Sequence, residues 1–405
     1  MGSVRLCAYC LAVTTIPLLV TSDDVVAARE TLRDVISPTP VLYSRVLSEL
    51  ARGAVYLKAE NLQRTGSFKI RGAYLRIARL SDAERARGVV AASAGNHAQG
   101  VALAASMLGT TATVVMPERA PLPKIQATKG YGADVVLHGT GVEEALDEAL
   151  RIAERTGAVF IHPYDHPDVV AGQGTVGFEI IEQCQQVKTI LVPVGGGGLA
   201  AGIAVAVKSL DPQVRVVGVQ AEASAIREHT TLADGIAVAS LGDIPTGILG
   251  SYADRMIEVS EAGLSRALLL CLERAKQVVE AAGAAAVAAL LEHPDEFEPP
   301  VVAVLSGGNI DPLLLSKLLR HGLAAAGRYL AFRCRLPDQP GSLAGLLSDV
   351  ASLGANVLAV NHERLSPSLL VDEVEVALQV ETRGPDHCAE VKAKLQEAGY
   401  ILSFA

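Results

Sequence analysis

The sequence predicts an α/β protein built on mostly parallel sheets, followed by a small separate domain at the C-terminus. Three observations carry this. Strand-like apolar runs alternate with helical stretches as far as about residue 325, glycine-rich turns fall where such strands give way to helices, and the pattern changes after Gly327. Strands and helices in alternation need crossover connections, which set the strands parallel with helices on both faces. With 405 residues, half of them apolar, the chain has room for two or three domains and a large core.

Ordered structure is expected to begin at Ser22, where Ser22-Asp23-Asp24 makes a good helix start and the apolar spacing runs to about Ile36 before Pro38-Thr39-Pro40 stops it. The expected strands are 89–92, 112–116, 134–137, 189–194, 215–219 and 301–305. The helix candidates are 97–108, 121–130, 141–156, 168–184, 198–210, 260–280 and 310–322. From Tyr329 the order reads β (329–335), α (341–353), β (356–363), β (371–380), α (386–398) and a last short strand. That βαββαβ order forms an independent sandwich. The expected domains are therefore 22–327 and 328–405.

Residues 1–21 are expected to be a disordered extension. Leu6 to Val20 is mostly apolar, but it is short for a membrane span, Pro17 interrupts it, and Arg5 alone makes a poor basic start for a signal peptide. No membrane association and a cytoplasmic location are expected. The net charge of −9 and the lack of a basic stripe with interleaved aromatics argue against a nucleic-acid partner. Cys7, Cys10, Cys184, Cys271, Cys334 and Cys388 have no disulfide rhythm, which suits a reducing compartment. Cys7 and Cys10 form a lone CxxC without the second pair that a zinc site needs.

Four segments carry chemistry. In Gly66-Ser67-Phe68-Lys69, a lysine ahead of a helix is ordinarily a surface group. Here Gly66 frees the backbone and Phe68 anchors the turn, so that Lys69 can point inward, where burial favours a neutral amine able to form an imine. Val194-Gly195-Gly196-Gly197-Gly198-Leu199 follows an apolar strand and opens a helix. A glycine run is often only a tight turn, but at this junction successive N–H groups and the helix dipole make a phosphate cradle. It lacks the GxGxxG spacing of a dinucleotide site. Ser93-Ala94-Gly95-Asn96-His97 has the same context: its N–H groups suit a carboxylate, Asn96 offers an amide donor for a phenolate oxygen, and His97 reads as a structural histidine more than a catalytic one. Ser306-Gly307-Gly308-Asn309 sets a hydroxyl at the end of the last strand.

Together these stretches resemble the fold-type II pyridoxal-phosphate family, nearest to the serine/threonine dehydratases and their serine racemase relatives. The resemblance covers roughly residues 23–325, with all motifs in family order. It implies a tryptophan synthase β-like pair of subdomains on parallel sheets, the smaller one near residues 60–160. It further implies pyridoxal 5′-phosphate on Lys69, Phe68 along its ring, Asn96 on the 3′ oxygen, Gly195 to Leu199 on the phosphate and Ser306 facing the pyridine nitrogen. The implied reaction is dehydration and deamination of L-threonine, and of L-serine, to a 2-oxo acid and ammonia, with Lys69 taking the α-proton and Ser93 and nearby N–H groups holding the carboxylate. A neutral hydroxyl at Ser306 leaves the ring a weaker electron sink, which favours β-elimination.

The alternatives within the family are a serine racemase or another β-eliminating or β-replacing enzyme. The racemases carry a serine where this chain has Ala94, and alanine has no transferable proton. Outside it stands a non-catalytic amino-acid sensor, against which the intact Lys69 argues. Glu222, with Glu228 beyond it, resembles the monovalent or divalent cation site of some relatives, although two loop carboxylates are more often simply solvated. His162 and His166 have the spacing of a helical metal pair, but Pro163 and Pro167 deny them the helix. Residues 328–405, with Asp338-Gln339-Pro340-Gly341-Ser342-Leu343, are similar to an ACT domain. That implies an amino-acid effector there and a homo-oligomer, dimer or tetramer.

Overall fold

A computed structural model describes residues 19–222, 231–236, 240–364 and 369–404. The chain divides into two compact units between Asp311 and Pro312. This lies ahead of the Gly327–Arg328 junction expected from the sequence, because helix Pro312–Ala325 groups with the C-terminal unit. Order also starts earlier than Ser22. Val20 is buried in the core, and Thr21 closes a capping box with Asp24 in front of helix Ser22–Leu32. The expectation of a disordered 1–21 is thus corrected for its last residues, whose apolar and capping groups have partners. Residues 1–18, with Cys7 and Cys10, lie outside the described residues.

In chain order the strands of the first unit are β1 (Val41–Tyr43), β2 (Val55–Ala59), β3 (Val89–Ala92), β4 (Ala112–Met116), β5 (Asp134–Leu137), β6 (Val159–Phe160), β7 (Thr189–Pro193), β8 (Arg215–Ala221), β9 (Arg255–Val259) and β10 (Val301–Leu305). They form two sheets, β5-β4-β3-β6 and β1-β2-β10-β7-β8-β9. Every pairing is parallel except β1 with β2. Strands β3, β7 and β10 are buried along their whole length, which fits their predominantly apolar sequences and sheets covered on both faces. Helices Pro167–Gln183 and Gly198–Leu210 cross so closely that a Cβ on Gly202 would lie 2.3 Å from the Val170 carbonyl oxygen. Only glycine permits that approach.

Below this packing lies a buried cluster of four charges. Arg71 is fully buried and grips Glu60 with Nε and Nη2, each at 2.8 Å. On its other edge it meets Glu179 at 2.6 and 3.1 Å, and Thr175 at 3.1 Å. Lys58 Nζ donates to Glu179 at 2.6 Å and to the Thr39 carbonyl at 2.7 Å. Two cations and two carboxylates cancel, and their hydrogen-bonding groups are occupied, which is what makes such burial tolerable. Burial works against the Arg71 charge, but Glu60 and Glu179 outweigh it and raise the pKa. For Lys58, burial wins and lowers the pKa despite Glu179. The Glu179 carboxyl is held below its ordinary range, because Arg71 and Lys58 outweigh the burial that would raise it.

The expected helix 260–280 is not one element. An α-helix runs over Glu261–Leu270, a π turn follows over Cys271–Ala275, and Lys276 takes a left-handed conformation at φ +57°. A new helix begins at Ala281, with Glu280 in extended conformation just ahead of it. The non-helical stretch makes tertiary contacts: the Asn61 amide donates to Gln277 Oε1 at 3.0 Å and to the Val278 carbonyl at 3.1 Å.

In the C-terminal unit, β11 (Tyr329–Pro337), β12 (Asn356–Glu363), β13 (Glu373–Glu381) and β14 (Leu402–Ser403) form an antiparallel sheet in the order β12-β13-β11-β14. Helices Ser342–Ser352 and Pro385–Glu397 complete the βαββαβ order. Alternate residues Leu330, Phe332, Cys334 and Leu336 are buried against Leu346, Val350, Val391 and Leu395. Among the described residues no helix is long and apolar enough to cross a membrane.

Arg71→Leu strands Glu60 and Glu179 with one cation between them. It should destabilise the protein by about 3–5 kcal/mol, read as a lower urea midpoint. A midpoint equal to that of the wild type would show that the cluster does not hold the fold.

Candidate functional site

The chemistry-bearing segments follow the carboxyl ends of parallel strands, where ligands bind in sheets of this kind. Ser93–Asn96 follows β3, the glycine turn follows β7, and Ser306 follows β10. The lysine segment is stitched to the last of these. Ser67 bridges to Gly307, and the Phe68 N–H donates to the Ser306 carbonyl at 3.2 Å. Lys69 then opens helix Lys69–Ala78. Successive helical residues turn by about 100°, so Arg71, two residues on, points nearly opposite to Lys69. The buried arginine clamps the back of the helix and directs the lysine to the site.

Lys69 Nζ donates to the Pro163 carbonyl at 2.9 Å and lies 5.1 Å from the centre of the Phe68 ring. The residue as a whole is half-buried, but loss of water around the amine pulls its pKa down to about 8, with Glu280 opposing. An amine so placed is neutral in roughly a tenth of molecules at pH 7.

Asn96 is held by a network the sequence did not reveal. Its Oδ1 accepts from Asn309 Nδ2 at 2.7 Å, and its Nδ2 donates to Glu280 Oε1 at 2.5 Å. Asn309 is fixed in turn by the Thr65 carbonyl at 2.6 Å. A carboxylate on one side and an amide donor on the other settle which way the Asn96 amide faces, and one Nδ2–H is left for a ligand. Glu280 sits at the helix break described above. A continuous helix through 260–280 conceals it, and the only local sign is an acidic residue before an alanine-rich run.

The glycine turn holds helix Gly198–Leu210, which has no side-chain cap among the described residues. Gly197, at φ +91°, takes the left-handed conformation that other residues resist. Gly196 lies under Tyr164, where a Cβ would come within 2.3 Å of the ring. Gly195 is half-buried, Gly198 is buried beside the Tyr164 backbone, and Leu199 is buried in the core. Helix Asn96–Met107 also lacks a side-chain cap. Ser93 is half-buried, and its Oγ accepts from the Gly95 N–H at 3.1 Å. His97 is buried and bonded through Nε2 to the Ile161 carbonyl at 2.8 Å. Burial, then the Lys69 charge, pulls its pKa down to about 3, so it stays neutral.

Glu222 is exposed at the end of β8, with its N–H on the Val259 carbonyl. Glu228 lies outside the described residues, among which no group of three or more His, Cys, Asp or Glu side chains converges. His162 and His166 each turn Nδ1 to backbone N–H groups, of Tyr164 and Asp165 for the first and of Asp168 for the second.

This donor set fits an aldehyde-bearing aromatic phosphate. It has a depressed amine, an uncapped helix N-terminus for a dianion, an oriented amide with one hydrogen to give, and a neutral hydroxyl at Ser306. The model of the pyridoxal-phosphate dependent enzyme family matches residues 32–307. The chain belongs to the pyridoxal-phosphate dependent enzyme family. Among members of this family, it is 48% identical to the L-threonine ammonia-lyase of Thermotoga maritima, over 94% of this chain and 98% of that protein. A crystal structure of a threonine deaminase from T.th. superposes with a TM-score of 0.68 at 42% identity, covering 72% of this chain and 99% of that one. The serine racemase of Dictyostelium discoideum superposes with a TM-score of 0.68 at 36% identity, covering 72% and 99%.

Glu280→Gln removes the negative charge that supports the Lys69 ammonium, so the pKa of the amine should fall further below about 8. The rate at which an amine-selective reagent labels Lys69 in the cofactor-free protein, followed against pH, gives the midpoint. A midpoint unchanged or raised in the variant contradicts the electrostatic role of Glu280.

Proposed function

We propose that this chain is a pyridoxal-phosphate dependent threonine ammonia-lyase, converting L-threonine, and L-serine, to the corresponding 2-oxo acid and ammonia. The observation that carries the reading is Lys69, an amine with a pKa of about 8 held between Pro163 and Phe68, in a family whose cofactor needs such a lysine. When bound, the cofactor supplies an electron sink for the charge left at the substrate α-carbon.

The residues of the chain do the rest. The glycine turn and the first N–H groups of helix Gly198–Leu210 hold the phosphate, and the free Nδ2–H of Asn96 holds the phenolate oxygen. Ser306 would offer the pyridine nitrogen a neutral hydroxyl, which does not force a proton onto it. Ser93 and the N–H groups that open helix Asn96–Met107 hold the substrate carboxylate. Lys69 would be the base that takes the α-proton, and its low pKa keeps part of it neutral for that task. Ala94 offers no proton to the opposite face of the α-carbon, which disfavours racemisation.

The C-terminal unit, with its antiparallel sheet and two helices, is an ACT-like module. In this reading it takes an amino-acid effector near Asp338–Leu343, in a cytoplasmic homo-oligomer, with a coupling of about 1–3 kcal/mol.

The purified protein should release ammonia and 2-oxobutanoate from L-threonine with little D-serine from L-serine. Lys69→Ala should lose both turnover and the absorbance of lysine-bound cofactor. Substantial turnover in that variant, or D-serine as the main product, rejects the assignment. For the C-terminal unit, rates of the full chain should shift when branched-chain amino acids are added, whereas a chain ending at Ala326 should not respond. Identical responses of the two chains reject the regulatory role.

A further inference from the structure

Residues His162 to Asp165 join β6 of the small sheet to helix Pro167–Gln183, and this strap touches both the lysine and the glycine turn. It is folded on itself by His162, whose Nδ1 accepts from the N–H groups of Tyr164 at 3.3 Å and Asp165 at 2.8 Å. The His162 and Tyr164 rings meet edge to face, 4.7 Å apart at 89°. The Pro163 carbonyl takes the Lys69 amine, and Tyr164 covers Gly196.

Asp165 reaches a third element. Its Oδ1 accepts from the Ile244 N–H at 2.9 Å, inside the first turn of helix Asp243–Tyr252. The N-cap residue of that helix is Gly242, which has no side chain with which to cap it, and a Cβ there would lie 2.7 Å from Asp165 Cβ. Gly242 donates its own N–H to the Gly196 carbonyl at 3.1 Å. The Gly196 carbonyl and the Gly197 N–H belong to one planar trans peptide and point in opposite directions. With the carbonyl committed to Gly242, the Gly197 N–H is aimed the other way.

We propose that Asp165 is a positioning residue for the phosphate cradle: it caps helix Asp243–Tyr252 from another part of the chain and, through Gly242, fixes the Gly196–Gly197 peptide so that its N–H serves the phosphate. The proposal rests on the reading of the glycine turn as the cofactor phosphate site. A carboxylate suits the task, because it is a strong acceptor and also favours the positive end of the helix dipole. The lysine side of the strap is held separately, by His162 and Pro163. Loss of the cap is therefore expected to loosen the cofactor more than it slows the chemistry.

The test uses the purified holoenzyme and compares Asp165→Ala with Asp165→Asn, which keeps an acceptor oxygen. In Asp165→Ala the affinity for pyridoxal phosphate should fall about tenfold, the size of one lost hydrogen bond to a charged group. The rate at saturating cofactor should fall by less than the affinity does. Asp165→Asn should recover most of the affinity. Wild-type affinity in Asp165→Ala overturns the proposal, and so does an Asp165→Asn variant as weak as the alanine variant, or a loss confined to turnover at saturating cofactor. A wild-type protein that binds no pyridoxal phosphate sinks the reading of the glycine turn itself, an outcome distinct from any difference between the variants.

Discussion

The geometry of the site depends on the burial of Arg71 between Glu60 and Glu179. A guanidinium with no exposure to water is stable only when its donors are matched, and here two carboxylates and a threonine hydroxyl match them. These partners come from the segment after β2 and from helix Pro167–Gln183. These two elements are thereby locked to the helix that Lys69 opens. The value of the cluster is geometric more than energetic: desolvation consumes much of the attraction among its charges, but a rotated helix would leave a buried charge without a partner. The fixed back of the helix gives the lysine its direction.

On the opposite side of that helix the electrostatics are the reverse. The four charges of the cluster compensate one another, whereas Lys69 has a carbonyl, an aromatic ring and the partial support of Glu280. Incomplete compensation lowers the basicity of the amine enough to leave a fraction of it neutral, as imine exchange and proton abstraction require. His97 lies nearby but has gone further, to a neutral ring tied to Ile161. It contributes a fixed donor to the fold and no charge that would compete with the lysine. Glu280 serves twice, raising the basicity of Lys69 and orienting Asn96, so the two cofactor-facing residues are coupled through one carboxylate.

The second requirement is that strand-to-helix turns from different strands meet at one place. Parallel strands deliver their carboxyl ends to one edge of each sheet: two of the four chemical segments sit at that edge of the larger sheet and one at that of the smaller, and Asn309 joins them through Asn96. The fourth, around Lys69, is drawn to them by the bridge from Ser67 to Gly307 and the bond from Phe68 to Ser306. The strap His162–Asp165 closes the arrangement from the other side, touching lysine, glycine turn and helix Asp243–Tyr252.

The sequence by itself determined what is encoded locally. The strands 89–92, 112–116, 134–137 and 301–305 are predominantly apolar and were legible at their observed bounds, and the glycine turn and the βαββαβ order were equally plain. Lys69 stood out because a small turn and an anchoring aromatic precede it. Short β1, β6 and β9, with half or more of their residues outside the buried core, gave too little pattern to read. The helix break at 271–280 was hidden, since no local breaker marks it and the Asn61 amide contacts it makes are tertiary. With it went Glu280, the orientation of Asn96 and the capping role of Asp165. Arg71 was in view but its burial was not, because the sequence of a helix does not disclose which distant carboxylates will meet it. Propensity and periodicity act between neighbours in the chain, whereas charge compensation and capping by remote side chains act between neighbours in space. Only the tertiary structure decides those.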